Sequence, residues 1–413
     1  MDFFTPLAHR GFARLFAAQV TALLGTGLLT IALALLAYDL AGAQGGLVLG
    51  FALTLKMVAY VTLAPVANAV LGGLPRRELL VALDLVRAGV ALILPFVTEI
   101  WQIYALIFVL QSASAAFTPT FQATIPDILP DERTYTRALS LSRLAQDVEN
   151  IASPALAAVL LMLVSSNTLF FGTALGFLGS AALVWWANPP RPAKRAEAST
   201  QRRIFTGIET YLATPRLRGL LALTLAAAAG GAMMIVNTAV IVGDLFGRGE
   251  ADVAVAMAVF GAGSALAAIL LPRVLDHLPD RPVMLAGAGG LSVALIFGAI
   301  VLALAPAFGP ETWGLYIIWM VASGFLYSAI LTPTGRLLRR SAEASERPAL
   351  FAAHFALSHG CWLITYPLAG WLGAWAGMTT ASVMLGLLAA GAVLAAKSLW
   401  PRTAATADIA GDI

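Results

Sequence analysis

Apolar runs alternate with short polar breaks along nearly the whole chain. A helix of about 20 apolar residues crosses the hydrocarbon core of a bilayer. Backbone hydrogen bonds inside a bilayer are satisfied only in helices or closed barrels, and runs this long without strict alternation indicate helices. The pattern therefore predicts an all-α integral membrane protein of about twelve transmembrane helices. The predicted spans are residues 15–38, 47–71, 79–97, 100–117, 138–164, 168–187, 217–242, 253–275, 282–305, 313–332, 349–375 and 381–399.

The longest polar interval begins at Asn188, near the middle of the chain. It separates two groups of predicted spans of similar length, which suggests two pseudo-symmetric six-helix halves. Prolines at its start stop the sixth helix, and residues 203–212 have the spacing of a short amphipathic helix on the inner membrane surface. We predict an N-terminal half at 1–188, a cytoplasmic linker at 189–216 and a C-terminal half at 217–413.

Composition agrees with a membrane protein. The chain has 413 residues, of which 60% are hydrophobic and 11% charged, and its mean hydropathy is +0.85. The net charge of +3 does not indicate a nucleic-acid partner, because the basic residues sit at the ends of apolar runs and form no single patch. Cys361 is the only cysteine, which excludes an intrachain disulfide and a thiolate cluster for structural zinc. We expect the N-terminal apolar run to be an uncleaved first span.

The distribution of Lys and Arg predicts the orientation. If every predicted span crosses the membrane, the loops on one side hold Arg248 as their only basic residue. The positive-inside rule then places both termini and the linker in the cytoplasm of a bacterial inner membrane. The loops and termini on the other side hold the basic residues of the linker. They also hold Arg10, Arg14, Arg76, Arg77, Arg133, Arg137, Arg273, Arg281, Arg336, Arg339, Arg340, Arg347, Lys397 and Arg402.

Ionisable residues inside the predicted spans are the first candidates for a functional site. A charged side chain at the bilayer centre costs about 2.5 to 3.5 kcal/mol on insertion scales, so such residues are rare and usually serve function. Two histidines inside the predicted spans, His354 and His359, both lie in the eleventh span. The charged residues inside the predicted spans are Lys56, Arg87, Arg143, Asp84, Asp147 and Glu149.

The fifth span carries the most polar face. Arg143, Asp147, Asn150 and Pro154 follow helical spacing and share one stripe, so this helix must face protein or water. Arg143 and Asp147 fit a structural pair as well as a functional one. Glu149 has no opposite charge at pairing distance on its own helix, and we predict that it gains and loses a proton during transport, with Asp147 as a second candidate. The alternative is that Lys56 keeps Glu149 ionised.

The eleventh span carries a second polar stripe, with His354, Ser358 and Cys361 on one face and Trp362 beside them. His359 lies five residues from His354, roughly 140° around the helix, so the two do not form an i, i+4 metal clamp. A divalent-metal site here needs ligands from other helices, such as Glu149. Proton coupling suits both histidines better than metal binding, because imidazole titrates near physiological pH.

Asp84 and Arg87 are three residues apart, and we expect them to pair in a structural or gating role. Other polar residues in the spans either line a substrate cavity or join helices by hydrogen bonds. No phosphate-binding loop, metalloprotease motif or nucleophile elbow is present in the sequence, so we expect neither an enzyme nor a cofactor. The cavity candidates are Gln19, Gln111, Asn150, Asn237, Tyr327, Ser358, Cys361 and Trp362.

Three stretches resemble the drug:proton antiporter branch of the major facilitator superfamily, which includes macrolide and siderophore exporters. They are FTPTFQATIPDILPDERTYTRALSLSRLAQDVENIASPALAAVLL at 117–161, LFAAQVTALLGTGL in the first span and DLVRA in the third. They are also similar to the bacterial nickel-resistance exporters of that branch. Ser153 and Pro154 stand where the family's antiporter motif has Gly-Pro.

The resemblance also implies a cytoplasmic signature that latches the inner gate. In the stretch LGGLPRREL, Arg76 and Arg77 match its basic end, but Gly72 and Gly73 replace the expected Asp and Arg. This departure weakens the expected latch in the first half. The second half retains more of the pattern through Asp276, Asp280 and Arg281.

Together these features predict a major facilitator fold and proton-coupled export of a small solute by alternating access. The expected partners are the lipid bilayer, protons and a drug-like, siderophore-like or metal-ion substrate. Two alternatives stay open, namely nickel or cobalt efflux and a membrane sensor or scaffold that binds ligand without transport. The resemblance implies the fold and the antiporter class, whereas the residues alone indicate a multi-pass protein with buried charges.

Overall fold

A computed structural model of the protein describes residues 4–63, 74–190, 200–308, 311–341 and 347–400. Nearly all of this chain is helical, and no strand occurs within these ranges. Some predicted positions lie outside the described residues, namely Gly72, Gly73, Arg402, the linker positions 191–199 and the side chains of Arg133, Arg143, Asp147, Asn150 and Arg347.

The first six long helices occupy the chain before the linker. The α2 helix continues into the π-helical segment Ala59–Leu63. The helices are α1 (Arg10–Ala41), α2 (Gly45–Val58), α3 (Arg76–Ile93), α4 (Ile100–Ile128), α5 (Glu132–Leu161) and α6 (Ser166–Ala187).

Eight further helices follow. The α8 helix ends in a second π-helical segment, Ile241–Leu245. The helices are α7 (Thr200–Ala213), α8 (Pro215–Val240), α9 (Glu250–Leu275), α10 (Asp280–Phe308), α11 (Glu311–Leu331), α12 (Thr334–Arg340), α13 (Arg347–Ala376) and α14 (Met378–Leu399).

The predicted all-α membrane architecture is confirmed. Nine helical stretches in the described residues are long and apolar enough to cross a membrane, and one of them, Arg10–Leu63, contains the first predicted span and the described part of the second. The α5 and α13 helices are not among the nine, although α5 contains a shorter apolar stretch, Ala152–Leu161. Each has 30 residues and is therefore about 45 Å long, enough to span a bilayer. Each of the twelve predicted spans thus coincides with a helix over its described residues, although residues 64–71 of the second span lie outside them and α4 extends beyond its predicted end.

The chain divides into two compact units. The first comprises Met1–Ala41 and Leu55–Ala196, and the second comprises Gly42–Thr54 and Glu197–Ile413. The start of α2 therefore packs with the second unit, whereas the predicted N-terminal half includes it. Glycines explain this packing, because a Cβ atom at Gly50 would lie 2.6 Å from the backbone oxygen of Tyr366 in α13.

In the first unit, α1 packs closely against α6. A Cβ atom at Gly25 would lie 3.0 Å from the Thr173 backbone oxygen, and one at Gly176 would lie 2.8 Å from the Thr21 backbone oxygen. The Thr173 hydroxyl donates to the Gly25 carbonyl at 3.0 Å. Small residues at helix contacts allow this approach where the bilayer provides no hydrophobic drive for helix association.

In the second unit, hydrogen bonds and small residues join α10 to its neighbours. The Ser292 hydroxyl donates to the Gly386 carbonyl of α14 at 2.8 Å, and the Ser382 hydroxyl donates back to the Leu295 carbonyl at 2.6 Å. Gly298 leaves room for the ring of Trp319 in α11, which a Cβ atom would displace. These contacts hold α10, α11 and α14 together around a buried aromatic side chain.

Candidate functional site

Glu149 lies at a close contact between α5 and α1 in the first unit. Gly27 of α1 faces Glu149 and Ser153, and a Cβ atom at Gly27 would overlap the Ser153 side chain and reach the Glu149 Oε1 atom. Glu149 and Ser153 are one helical turn apart on α5, so they face α1 together. Ser153 is fully buried, and its side chain lies beside the Glu149 carboxylate. The missing side chain of Gly27 is therefore what makes room for the carboxylate.

Lys56, in the last turn of α2, is the basic residue that acts on Glu149. The two side chains interact electrostatically, and both residues are half-buried. No direct ion pair between them is present in the described part of the chain. The alternative that Lys56 keeps Glu149 ionised stays a prediction.

Gln19 lies further along the same α1–α5 contact. Its amide nitrogen donates to the Ser142 carbonyl at 3.5 Å, a long hydrogen bond. Within the described ranges, Gln19 Oε1 and the Ser142 hydroxyl are buried without hydrogen-bond partners. Buried polar atoms are normally paired, so these groups retain capacity for a ligand or water.

Asp84 and Arg87 form the ion pair that their spacing predicts. Both are buried, and the Arg87 guanidinium carbon lies 4.1 Å from the Phe117 ring centroid and 4.5 Å from that of Phe177. Phe117 belongs to α4 and Phe177 to α6, so Arg87 of α3 contacts two neighbouring helices by cation–π interactions. The pair therefore combines charge neutralisation within α3 with packing between helices.

The two histidines of α13 use their Nδ1 atoms in separate contacts. The Tyr211 hydroxyl of α7 lies 3.0 Å from His354 Nδ1, and the two rings stack with centroids 5.8 Å apart. Tyr211 is fully buried, and this burial raises the pKa of its hydroxyl well above its ordinary value, with a smaller contribution from Cys361. His359 Nδ1 lies 2.7 Å from the Phe355 carbonyl of its own helix. Over the described residues, no group of three or more His, Cys, Asp or Glu is positioned to bind a metal ion.

An aromatic cluster lies beside the α13 stripe in the second unit. The Trp362 ring centroid is 4.9 Å from that of Tyr366 and 6.3 Å from that of Tyr327 on α11. Gly231 of α8 leaves the space that the edge of the Trp362 ring occupies. Trp362 and Tyr327 are half-buried, so this cluster presents ring surface that an apolar ligand can contact.

The other cavity candidates differ in surroundings. Asn237 is fully buried and donates to the Ala369 carbonyl of α13 at 3.1 Å, which makes it a contact between helices. The Cys361 thiol is 4.0 Å from the Leu221 carbonyl, and the Ser358 hydroxyl donates within its own helix at 2.9 Å. Gln111 is buried on α4.

The predicted gating residues make contacts at helix ends. Arg281 donates to the Trp400 carbonyl at 2.7 Å, while Asp276 is exposed. Arg77 stacks on the Trp185 ring at 3.5 Å and donates to Asn188 at 3.1 Å. Arg76 pairs with Asp127 in the first unit, and Asp280 pairs with Arg336 and Arg340 in the second.

Sequence reasoning did not identify several of these partners. Gly27, Tyr211 and Asp127 each lie far along the chain from the residue they contact, so helical periodicity gave no signal for them. Arg336 appeared only as a marker of orientation. Asp127 lies near the end of α4 and Arg336 just beyond the end of α11, and in each case the preceding helix begins with a residue of opposite charge. This charge pattern in the sequence could have identified them.

The sequence profile of the Major Facilitator Superfamily matches residues 15–297 and 220–411. Macrolide efflux protein A of Streptococcus pyogenes is 23% identical over 219 residues, which are 52% of this chain and 53% of that protein. The uncharacterized MFS-type transporter YfiS of Bacillus subtilis is 26% identical over 196 residues, or 46% of this chain and 45% of that protein. The chain spans about half the length of the curated relatives it matches.

Solved structures share the fold at low identity. A bacterial homolog of the human lysosomal transporter Spinster superposes with a TM-score of 0.71 at 14% identity, over 95% of this chain and 99% of that one. A D-xylose-proton symporter superposes with a TM-score of 0.68 at 12% identity, over 97% and 99% of the two chains. Since the superfamily profile covers both halves of a helical multi-pass chain whose structural neighbours are transporters, the protein belongs to the Major Facilitator Superfamily, a family of membrane transporters and not of enzymes.

Proposed function

We propose that the protein exports an amphipathic organic solute across the bacterial inner membrane in exchange for protons, by alternating access, with both termini in the cytoplasm. The observation that carries this proposal is Glu149, a carboxylate in a membrane-embedded helix, seated against Gly27 of α1 and influenced by Lys56. An ionisable group at such a position costs insertion energy and usually serves substrate or proton movement. Homology to macrolide efflux protein A supports the direction and the class of substrate.

Coupling requires that proton and substrate bias the same two-state equilibrium. Proton exchange at the site centred on Glu149 favours one state, and substrate loading favours the other. Glu149 and Lys56 are half-buried, so protons can pass between the site and water in one state. The low dielectric around the site strengthens the charge interactions within it. Asp147, Asn150 and Arg143 remain candidates for the same face of α5, and His354 and His359 for proton relay.

The second unit supplies surface for an organic substrate. The aromatic cluster of Tyr327, Trp362 and Tyr366 offers ring faces of the kind that line ligand pockets. Divalent-metal efflux receives less support, because no group of three or more His, Cys, Asp or Glu that could hold a metal ion occurs in the described part of the chain.

The test uses everted membrane vesicles that carry a pH gradient. Addition of a macrolide such as erythromycin, or of lipophilic cations, is expected to collapse the gradient when the protein is present, and Glu149→Gln is expected to abolish the response. Glu209→Gln removes an exposed carboxylate of α7 as a matched control and is expected to have no effect. Efflux that survives in both Glu149→Gln and Asp147→Asn contradicts this assignment of the coupling residues.

Two further experiments distinguish export of an organic solute from metal efflux and from a sensor or scaffold function. A gradient collapse caused by nickel or cobalt alone, and lost in His354→Ala, would replace the organic substrate by a metal ion. Ligand binding without counterflow in proteoliposomes would indicate a sensor or scaffold. Counterflow of the organic solute supports the transporter function directly.

A further inference from the structure

Three aromatic rings pack together in the second unit, where α8 ends and α11 begins. The Phe246 ring meets the Trp313 ring edge-on with centroids 5.4 Å apart, and it lies 5.1 Å from the Tyr316 ring. The Trp313 and Tyr316 rings stack with centroids 5.3 Å apart. Tyr316 is fully buried, whereas Trp313 is half-buried. Trp313 therefore presents part of its ring at the surface of a well-packed aromatic cluster.

A positive charge of the chain lies on the Trp313 ring. The Arg248 guanidinium carbon is 4.4 Å from the Trp313 ring centroid, which is the distance of a cation–π contact. Arg248 Nη1 also lies 3.3 Å from Asp252 Oδ1, and 34% and 33% of these two side chains are exposed. The ring and the carboxylate thus bind one cation together, and that cation is part of the protein.

The backbone holds Arg248 at this place without fixing its side chain. Gly247 has a φ of +62°, in the left-handed region that favours glycine. The Arg248 N–H donates to the Val242 carbonyl at 3.0 Å. The guanidinium itself is held by a partly exposed ion pair and by one ring face, and both interactions are weak at such positions. Arg248 can therefore leave the ring by side-chain rotation while the turn stays in place.

The segments around Arg248 are acidic. Within residues 243–252 and 306–313, four residues are acidic and Arg248 is the only basic one. A surface of this charge raises the local concentration of cations. When Arg248 leaves the ring, the Trp313 face and the Asp252 carboxylate both lose their positive partner. The acidic residues are Asp244, Glu250, Asp252 and Glu311.

We propose that Trp313 and Asp252 form a binding site for an alkylated organic cation at the outer end of the second unit, and that Arg248 competes for this site from within the chain. The outer location of the site, and its part in transport, rest on the proposed function. A cation that reaches the outside lies on the Trp313 ring while Arg248 is displaced. The return of Arg248 to the ring expels the cation, so Arg248 prevents the site from retaining it.

The composition of the site favours an alkylated cation over a metal ion. Aromatic rings bind quaternary ammonium groups, and the guanidinium that lies on Trp313 is likewise more weakly hydrated than an ammonium. Metal ions such as Ca²⁺ need several oxygen ligands, whereas no group of three or more His, Cys, Asp or Glu that could hold a metal ion occurs in the described residues.

The test measures choline binding to the purified full-length protein in a neutral detergent without added lipid. The protein is labelled with fluorotryptophan, and the fluorine NMR resonance that is missing in Trp313→Phe belongs to Trp313. In wild type, choline is expected to shift this resonance only at high concentration. In Arg248→Gln the affinity is expected to be about tenfold higher, because Arg248 no longer covers the ring in most molecules. The neutral carbon isostere of choline, dimethylbutanol, is expected to leave the resonance in place.

Further variants separate binding from altered packing. Asp252→Asn, added to Arg248→Gln, is expected to weaken choline binding about two- to fivefold, because the bound cation loses its carboxylate. Arg273→Gln, at an exposed arginine in the last turn of α9, is the matched control and is expected to keep the wild-type affinity. Size-exclusion chromatography checks the folding of each variant. If Arg248→Gln does not fold, Arg248→Lys replaces it and is expected to bind choline more tightly than wild type, since a lysine is a more strongly hydrated competitor.

The proposal is overturned if choline leaves the Trp313 resonance unshifted in the Arg248 variant, if the neutral isostere shifts it equally, or if the Arg248 variant and wild type bind choline with the same affinity. Failure of the transport function is a different result. In that case choline binding is present and is strengthened in the Arg248 variant, but everted vesicles show no response to any organic solute.

Discussion

Arg76 at the start of α3 forms an ion pair with Asp127 near the end of α4, with 2.8 Å between Nη2 and Oδ2. In the second unit, Asp280 at the start of α10 pairs with Arg336 in α12, just beyond the end of α11. The two units therefore place an ion pair at corresponding helix ends with the signs exchanged. The weakened signature of the first half, in which Gly72 and Gly73 replace the expected charges, still leaves Arg76 with an acidic partner.

Asp127→Asn is expected to reduce the stability of the first unit by about 1 kcal/mol, because the Arg76–Asp127 pair is only partly shielded from solvent. The exchange of both charges, Arg76→Asp with Asp127→Arg, is expected to restore part of the loss. Thermal unfolding in detergent measures both variants. An equal loss of stability in Asp127→Asn and in the charge-exchanged variant would show that the ion pair does not contribute to stability.

Asp280→Asn is expected to cost more, about 2 to 3 kcal/mol, because this carboxylate is buried and accepts hydrogen bonds from a charged arginine. Asp276 lies in the same segment but is exposed, so Asp276→Asn is the matched control and is expected to change stability by less than about 0.5 kcal/mol. The melting temperatures of the two variants, measured in the same detergent, test this difference in stability. Similar shifts in melting temperature for both variants would show that the burial of Asp280 does not increase its contribution to stability.

Gly27→Ala is expected to impair both stability and transport, since the added methyl group overlaps Ser153 and reaches Glu149. Overpacking of this kind costs about 1 to 3 kcal/mol. Ser153→Gly, added to Gly27→Ala, is expected to recover part of the loss by making room. Gly89→Ala serves as the control, because a Cβ atom there meets no other atom within 4 Å. Normal proton-driven efflux in Gly27→Ala would contradict the close seating of Glu149.

Tyr211→Phe is expected to reduce stability by about 1 kcal/mol through loss of the hydrogen bond to His354. Burial raises the pKa of Tyr211, so the folded protein favours the neutral hydroxyl. The stability linked to this group is then fully present below the ordinary tyrosine pKa of about 10 and is lost only as the pH rises through the higher folded value. Ultraviolet titration of wild type against Tyr211→Phe checks this, and ionisation near pH 10 would contradict it.

The membrane architecture could be predicted because span length and apolar sequence are local properties of the chain. The Asp84–Arg87 pair was predictable for the same reason, since three residues of helix bring the two side chains together. The seating of Glu149 on Gly27, and the contact of Tyr211 with His354, depend on which helices pack together and therefore leave no periodic signal. The packing of the first residues of α2 with the second unit likewise depends on glycine contacts that one sequence does not reveal.

The hydrogen bond and the ring stacking between Tyr211 and His354 fasten α7 to α13 within the second unit. Residues inserted before Thr200, where α7 begins, are expected to leave this contact in place. Residues inserted between Ala213 and Pro215 are expected to shift α7 along its axis and to displace Tyr211 from His354.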